Sequence, residues 1–306
     1  MESLPCGSSL PLPLPKVDDE EGEAVDPDLP YVVDAHVHLF PDRVFEAIWR
    51  WFDEYGWPIR HKLTTPSAIE FLLSRGVGHI VALHYAHAPG MARALNAYLA
   101  GAVKNEPRVT PLATVLPGEP NAVAILEEAF ALGLQGVKLH CHVQCFAPDA
   151  PETNTIYETC VKYNKPLVMH AGRVPRSSGV KCDTDAICGA ERVDHVLTNH
   201  PKLRLCVPHL GADEIEAYEK LVERFDHLWL DTTMMLSDYL GTHEDLRILD
   251  VRPDRIFYGT DFPNIPYAWD RELACVKKRR WSDAVLERVL SLNARDFYGI
   301  RDRVSA

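Results

Sequence analysis

The sequence predicts an α/β fold in which eight parallel strands, each followed by a helix, close into a (β/α)8 barrel of the TIM type. Three observations support this: short apolar segments recur along the chain, amphipathic stretches separate them, and 306 residues suit one domain of this class. Continuous apolar runs such as 80–83 and 167–169 are typical of strands covered on both faces. An open doubly wound sheet is disfavoured because no Gly-X-Gly-X-X-Gly turn follows the first strand.

The elements follow one another with the alternation that such a barrel needs. The candidate strands, in order, are 31–39, 79–84, 108–115, 136–141, 166–170, 203–208, 228–232 and 255–259. Apolar residues at helical spacing predict helices between or after them, over 122–131, 154–163, 213–224 and 281–292. We therefore expect a single barrel domain over residues 30–306.

Two segments do not fit this alternation. Residues 1–29 carry a Pro-Leu alternation and an acidic run without hydrophobic periodicity, which predicts a disordered tail. The segment 41–75 contains Trp49, Trp51 and Trp57 and is expected to pack over or beside the barrel mouth. Its aromatic residues fit a core, an oligomer contact or a lid equally well.

Composition limits the function classes. The net charge is -12 with a pI near 5.6, which argues against general binding to nucleic acid or to an anionic membrane. A small-molecule substrate is expected instead, with a homodimer as the candidate oligomeric state. The lack of a long apolar run and of a secretory signal pattern predicts a cytoplasmic protein. The eight cysteines are expected to be free thiols rather than a disulfide framework.

Polar side chains are concentrated at the C-terminal ends of the candidate strands, where barrels of this class carry their chemistry. His36 and His38 are two residues apart and share one face of the first strand. Later strands end at further histidines and one carboxylate, namely His84, His140, His170, His209 and Asp261. Imidazole nitrogens with one carboxylate form a ligand set that suits zinc and similar divalent ions. The sequence therefore predicts a metal site at the barrel mouth.

A second, separate metal site is a weaker hypothesis. His140, Cys141, His142 and Cys145 lie close together in the sequence. This His-Cys-His-X-X-Cys spacing lacks a distant second ligand pair, so a pocket wall with incidental thiols is the favoured interpretation.

With these residues in place, the chain resembles the amidohydrolase superfamily, in particular its amidohydrolase-related branch (amidohydrolase family 2) of metal-dependent hydrolases and decarboxylases. The resemblance covers residues 31 to about 300. The matching motifs occur in the family's order and are Asp34-Ala35-His36-Val37-His38, Gly136-Val137-Lys138-Leu139-His140, Leu167-Val168-Met169-His170-Ala171-Gly172, Pro208-His209-Leu210-Gly211 and Gly259-Thr260-Asp261-Phe262-Pro263.

The resemblance implies a metal-dependent barrel with one or two divalent ions, Zn²⁺ being expected and Mn²⁺ an alternative. It implies a metal ligand set of His36, His38, His170 and Asp261. His209 is implied either as a ligand of a second ion or as an acid/base group. Lys138 corresponds to a position that is carboxylated and bridges two ions in some members. The alternatives for Lys138 are a substrate-binding ammonium and an interior charge paired with Asp261.

The leading functional interpretation is a hydrolase in which a metal-activated hydroxide attacks an ester, lactone or amide carbonyl, with Asp261 and His209 as catalytic residues. The alternative is non-oxidative decarboxylation of an aromatic or unsaturated carboxylic acid. Arg173 could clamp the substrate carboxylate, or could be an ion-pair partner at the rim. His140 and His84 are further substrate-binding candidates, with structural hydrogen bonding as the alternative for His84. A non-catalytic binding barrel is disfavoured because the set of candidate ligands is intact.

Overall fold

The computed structural model describes residues 15–174, 177–240, 246–279 and 281–301. Its eight strands are parallel and neighbour one another in sequence order, as a three-stranded and a five-stranded sheet. The strands are β1 Val33–His38, β2 His79–Leu83, β3 Val109–Pro111, β4 Val137–His140, β5 Leu167–His170, β6 Leu205–Val207, β7 Leu228–Asp231 and β8 Ile256–Phe257. Each lies within the range that the sequence predicts for it.

Single parallel bridges join the two sheets at both edges. Ala113, just after β3, bridges Val137 of β4, and Val37 of β1 bridges Phe262 beyond β8. Backbone hydrogen bonds accompany both bridges, as from Asp261 N to His36 O at 2.9 Å. The eight strands therefore follow one another around a ring, and the predicted TIM-type barrel is confirmed.

Helices surround this ring. Their bounds are α1 Asp42–Tyr55, α2 Thr65–Ser74, α3 Ala92–Ala102, α4 Ala122–Ala131, α5 Cys141–Gln144, α6 Asn154–Lys162, α7 Thr184–Ile187, α8 Ala190–Asn199, α9 Ile215–Arg224, α10 Ile248–Val251, α11 Arg271–Lys278, α12 Asp283–Glu287 and α13 Asn293–Tyr298. The predicted helix 213–224 begins only at Ile215, because the chain before it forms an irregular turn with positive φ at His209, Leu210 and Ala212. Among the described residues, no helix is long and apolar enough to cross a membrane.

Two apolar clusters lie on opposite sides of the strands, one inside the barrel and one between the strands and the helices. Val33, Ala35 and Val168 pack with residues of other strands and with Phe297 of α13, which places this cluster inside the ring. Val37 belongs instead to the large cluster that includes the surrounding helices. The side chains of β1 therefore do not alternate strictly between the two faces, and the pairing of β1 with β2 shifts register between Asp34 and Val37. Such a bulge re-aims the side chains that follow it.

Residues 15–29 differ from the predicted tail. They form no helix or strand but contact the barrel: Gly22 N donates to an Asp270 carboxylate oxygen at 2.9 Å, and Trp269 Nε1 donates to Gly22 O at 2.9 Å. Arg60 also donates to Asp19 O at 2.6 Å. These partners lie far away in the sequence, so local periodicity carries no sign of them. The rest of the predicted tail, residues 1–14, lies outside the described residues.

The segment 41–75 contains α1 and α2 and lies beside the loops after β5 and β8. Trp51 Nε1 donates to Gly179 O at 3.1 Å, and Trp57 Nε1 donates to Asn264 O at 2.7 Å. The predicted position beside the barrel mouth agrees with these contacts. Its roles as lid or oligomer contact stay predictions.

Candidate metal centre

The bulge in β1 brings two histidines to the inside of the barrel, where they meet the carboxylate that follows β8. His38 Nε2 lies 2.9 Å and His36 Nε2 lies 3.4 Å from Asp261 Oδ1. Both histidines are buried. Asp261 adopts a left-handed backbone conformation, with φ of 73°, and its amide is held by the carbonyl of His36. These three side chains form the first donor set.

A second aspartate, which the sequence analysis did not single out, orients the first set. Asp231 Oδ2 accepts a hydrogen bond from His36 Nδ1 at 2.8 Å, and its Oδ1 accepts from the amides of His209 and Thr233 at 3.0 and 3.2 Å. The carboxylate therefore keeps the imidazole proton on His36 Nδ1 and leaves the Nε2 lone pair directed toward Asp261. Asp231 is the last residue of β7, and the other candidate residues also lie at strand ends. Its position at a strand end could therefore have identified it from the sequence.

A second pair of imidazole nitrogens converges beside the first set. His170 Nδ1 and His209 Nε2 are 3.2 Å apart. His209 Nδ1 donates to the carbonyl of Thr233 at 3.0 Å, which leaves its Nε2 without a proton to hold a ligand. His170 was expected in one ligand set with His36, but in the structure its Nδ1 faces His209. We call His170 and His209 the second donor set.

Lys138 lies next to the first donor set, at the bottom of the site. Its side chain is fully buried, and its Nζ is 3.3 Å from His36 Nε2. Burial lowers the pKa of Lys138 to about 8, against the opposing effect of the carboxylates of Asp231 and Asp261. With this pKa the amine is still mostly protonated at pH 7, but a neutral fraction forms far more readily than for an exposed lysine.

The protonation states of the site fit a divalent cation. Burial, followed by the charge of Lys138, lowers the pKa of His36 to about 3, and burial also lowers the pKa of His170 and His209. Burial raises the pKa of Asp261, but the contact with His38 outweighs it and holds this pKa well below its usual range. Neutral imidazoles and an ionised carboxylate are the forms that bind metal.

The spacing of the donors fits as well. One ligand atom each from His36, His209 and Asp261 lie within 4.8 Å of one another, so the two donor sets adjoin. Nitrogen and oxygen donors in this arrangement suit Zn²⁺ or a similar first-row ion.

The predicted substrate-binding residues have different surroundings. The ring of His140 stacks on that of His170 with centroids 4.1 Å apart, which places it beside the site. His84 is buried and its Nε2 bonds to Asn96 Oδ1 at 2.9 Å, the contact expected of the structural alternative. The Arg173 guanidinium pairs with Glu214 at 2.6 Å and Glu191 at 3.2 Å. These are the contacts of the ion-pair alternative, and the carboxylate clamp stays a prediction.

The barrel, with histidines and aspartates at the ends of its strands, has the arrangement of (β/α)8 enzymes that carry their chemistry at the strand ends. The Amidohydro_2 family model, described as Amidohydrolase, matches residues 33–300, and the chain belongs to this family. No curated protein matches the chain.

Three solved structures illustrate the likeness. 5-Carboxyvanillate decarboxylase from Novosphingobium aromaticivorans, complexed with manganese and 4-hydroxy-3-methoxy-5-nitrobenzoic acid, has a TM-score of 0.64 at 14% identity, over 92% of this chain and 100% of its own. 2,6-Dihydroxybenzoate decarboxylase from Rhizobium has a TM-score of 0.65 at 16% identity, over 89% and 99%. The probable 2-pyrone-4,6-dicarboxylic acid hydrolase from Acinetobacter baumannii, with citric acid bound, has a TM-score of 0.57 at 13% identity, over 88% and 100%. At these identities the likeness shows a shared fold.

Proposed function

We propose that this protein is a metal-dependent hydrolase that acts on an ester, lactone or amide carbonyl of a small molecule. The observation that carries the proposal is the convergence of two adjoining donor sets. One comprises His36, His38 and Asp261, and the other comprises His170 and His209. The most compact group of three ligand atoms takes His36 and Asp261 from the first set and His209 from the second, and we propose two ions that lie side by side across the two sets, as in many hydrolytic enzymes.

Each donor set would hold one divalent ion, with Zn²⁺ expected. Mn²⁺ is the alternative, supported by the manganese in the Novosphingobium decarboxylase. Bound at such ligands, a divalent ion polarises a carbonyl and lowers the pKa of water from about 15.7 toward 7.

Lys138 is proposed to be carboxylated when metal is bound. Its Nζ lies 3.3 Å from a nitrogen of the first set and is fully buried, so an ammonium there would repel a bound cation. Addition of carbon dioxide to the neutral amine forms a C–N bond and releases one proton, which replaces the positive group by an anionic carbamate. Such a group could serve both sets.

The remaining chemistry falls to the side chains of the site. The ionised carboxylate of Asp261 is placed to accept a proton from the attacking water and to return it to the leaving group. His209, whose Nδ1 proton is held by the Thr233 carbonyl, can act only through Nε2 and is proposed to hold the second ion. His140, which stacks on His170, is proposed to contact the substrate.

The test combines metal analysis with product analysis. The purified protein is expected to contain up to two equivalents of divalent metal, and a His36→Ala/His38→Ala variant should lose the ion of the first set. A His195→Ala variant is the matched control. The His195 side chain is 70% exposed and pairs with Asp149, which belongs to neither donor set. A panel of lactones, esters and amides in H₂¹⁸O should yield products with one labelled oxygen. Full activity in metal-free protein would overturn the proposal.

Decarboxylation of an aromatic acid is the second candidate, favoured by the aromatic wall beside the first donor set. The ring of Phe40 stacks on that of His38 at 5.9 Å, and the edge of Tyr85 meets both His38 and His140 at 5.6 and 4.9 Å. Such a wall suits a planar substrate, and two of the solved structures above are decarboxylases of aromatic acids. If hydroxybenzoate-like acids release carbon dioxide and the product carries no labelled oxygen, the protein catalyses decarboxylation and not hydrolysis. Binding without turnover of any compound would favour the binding barrel.

A further inference from the structure

Four cysteines meet where the loops after β4 and β5 come together. Cys141 begins α5 and Cys145 directly follows it, while Cys182 and Cys188 flank α7 in the loop after β5. All four are free thiols. The sequence analysis found no distant partners for the first two cysteines, and the fold supplies them from about 40 residues further along the chain.

The four thiols form an outer and an inner pair. Cys145 and Cys182 both contact the carbonyl oxygen of His142, at 3.7 and 3.5 Å, which places the two thiols side by side. Cys145 is exposed and Cys182 is partly exposed. Cys141 and Cys188 are the inner pair, and both are fully buried. Only the outer pair is open to a reagent in solution.

The arrangement favours a dithiol over a metal site. A structural zinc site needs four convergent ligands, usually including several thiolates. Within the described ranges, the only three His, Cys, Asp or Glu ligand atoms that lie within 4.8 Å of one another belong to His36, His209 and Asp261. The shared contact of Cys145 and Cys182 with one carbonyl oxygen instead brings two thiols together, and two neighbouring thiols are what a disulfide requires.

We propose that Cys145 and Cys182 are a redox-active pair that closes into a disulfide between the two loops when a peroxide is present. Peroxide oxidises the Cys145 thiol to a sulfenic acid: the O–O bond breaks, an S–O bond forms and one water leaves. The Cys182 sulfur then attacks the Cys145 sulfur, so that the S–S bond forms, the S–O bond breaks and a second water leaves. Two thiols have lost two electrons and two protons, and the peroxide has been reduced to two waters.

The order of the two cysteines follows from their surroundings. Burial, and then the neighbouring Cys145, raise the pKa of Cys182 to about 12, so Cys182 reacts less readily with peroxide than the exposed Cys145. When Cys182 attacks the sulfenic acid, its proton leaves with the sulfenic hydroxide as water. The exposed Cys145 is the thiol that meets the oxidant first, and Cys182 is the neighbour that resolves it.

The cross-link would act on the candidate metal centre through a short path. It would enclose residues 146–181, a span that contains β5 and His170. The His142 ring lies 4.7 Å from that of His170, and its Nε2 bonds to the carbonyl of Gly172 at 3.1 Å. Oxidation would therefore hold together the two loops that flank His170. This inference does not depend on the reaction that the site catalyses.

The test is oxidation of the full-length protein with hydrogen peroxide, followed by peptide mapping by mass spectrometry without reduction. We expect a loss of two hydrogens per chain, a linked pair of peptides carrying Cys145 and Cys182, and reversal by dithiothreitol. Oxidation should also raise Tm. Cys145→Ser and Cys182→Ser should each lack the linked peptide and the Tm shift, whereas Cys160→Ser, a buried cysteine on α6, should retain both.

Three outcomes would overturn the proposal. The linked peptides could carry the inner pair instead of the outer one. The thiols could oxidise singly to sulfinic acids without any cross-link. Lastly, Cys145→Ser and Cys182→Ser could each remove one metal equivalent that the His36→Ala/His38→Ala variant retains, which would show a thiolate metal site. None of these outcomes bears on the proposed hydrolase activity.

Discussion

Replacing Asp231 by Asn removes the negative charge of this side chain and keeps its size and shape. In the structure, Oδ1 accepts the amides of His209 and Thr233, and Oδ2 accepts the proton of His36 Nδ1. The amide oxygen of Asn can keep both backbone contacts, but its NH₂ group would then face the Nδ1 proton. His36 is expected to move its proton to Nε2, the atom that faces Asp261 and must stay free to bind metal.

The size of the effect follows from these contacts. The hydrogen bond between His36 and a buried charged carboxylate is replaced by a weaker neutral one, which should lower the free energy of unfolding of the metal-free protein by at most about 1.5–3 kcal/mol. Loss of such an orienting partner typically costs roughly 10–100-fold in metal affinity. Burial raises the pKa of Asp231, but His36 outweighs it and lowers this pKa to about 2. The stability from this ionised carboxylate is therefore present above about pH 4 and is lost as pH falls toward 2.

The assays are competition with a chelator for the metal Kd and urea unfolding of metal-free protein between pH 2 and 7. Asp34→Asn is the matched control, because Asp34 is as buried as Asp231 but bonds to the His36 amide and the Thr260 hydroxyl rather than to an imidazole. Burial raises the pKa of Asp34 to about 7, so its neutral replacement changes little. Metal affinity within twofold of wild type in Asp231→Asn, or an equal loss in both variants, would refute this reasoning.

Three further predictions concern other buried ionisable groups. Asp261→Asn should retain bound metal much better than turnover, which should fall by about 10²–10⁴-fold; a variant with normal turnover would reject the proton-transfer role. Lys138→Ala should lose metal and activity and be partly rescued by a small carboxylic acid, whereas unchanged metal content by elemental analysis would argue against a bridging carbamate. Burial raises the pKa of Glu272 far above its usual range, so the folded protein loses stability as pH rises above about 4.5. The Glu272→Gln variant should show a smaller loss of stability between pH 5 and pH 8, measured by urea unfolding. Parallel pH profiles of the two proteins would contradict it.

The elements of the barrel were accessible from the sequence because they depend on local patterns. Each strand is a short apolar run covered by helices, and each was placed correctly without knowledge of its partners. The positions of the candidate ligands followed from the same strands, since barrel chemistry lies at the C-terminal strand ends. A local irregularity was harder to foresee: the bulge in β1 places both Ala35 and His36 toward the interior, against simple alternation.

The sequence was least informative where a residue's role depends on a distant partner. Asp231 ends a strand like the other candidates, but only contact with His36, 195 residues away, reveals its function. Arg173 follows a motif histidine, but Glu214 and Glu191 occupy its guanidinium. Residues 15–29 lack periodicity, and their contacts with the barrel come from side chains such as Arg60.

The class of fold, the family resemblance and the residue types of the metal site follow from the sequence alone, because hydrophobic periodicity and short motifs are properties of neighbouring residues. Tertiary structure decided how the imidazole nitrogens divide into two donor sets, which carboxylate orients His36, and which cysteines meet. These contacts form only when the strands close into a ring, and their geometry depends on tautomers, a bulge and loop conformations. Side chains brought together by that closure, rather than by the order of the chain, determine what the site can bind.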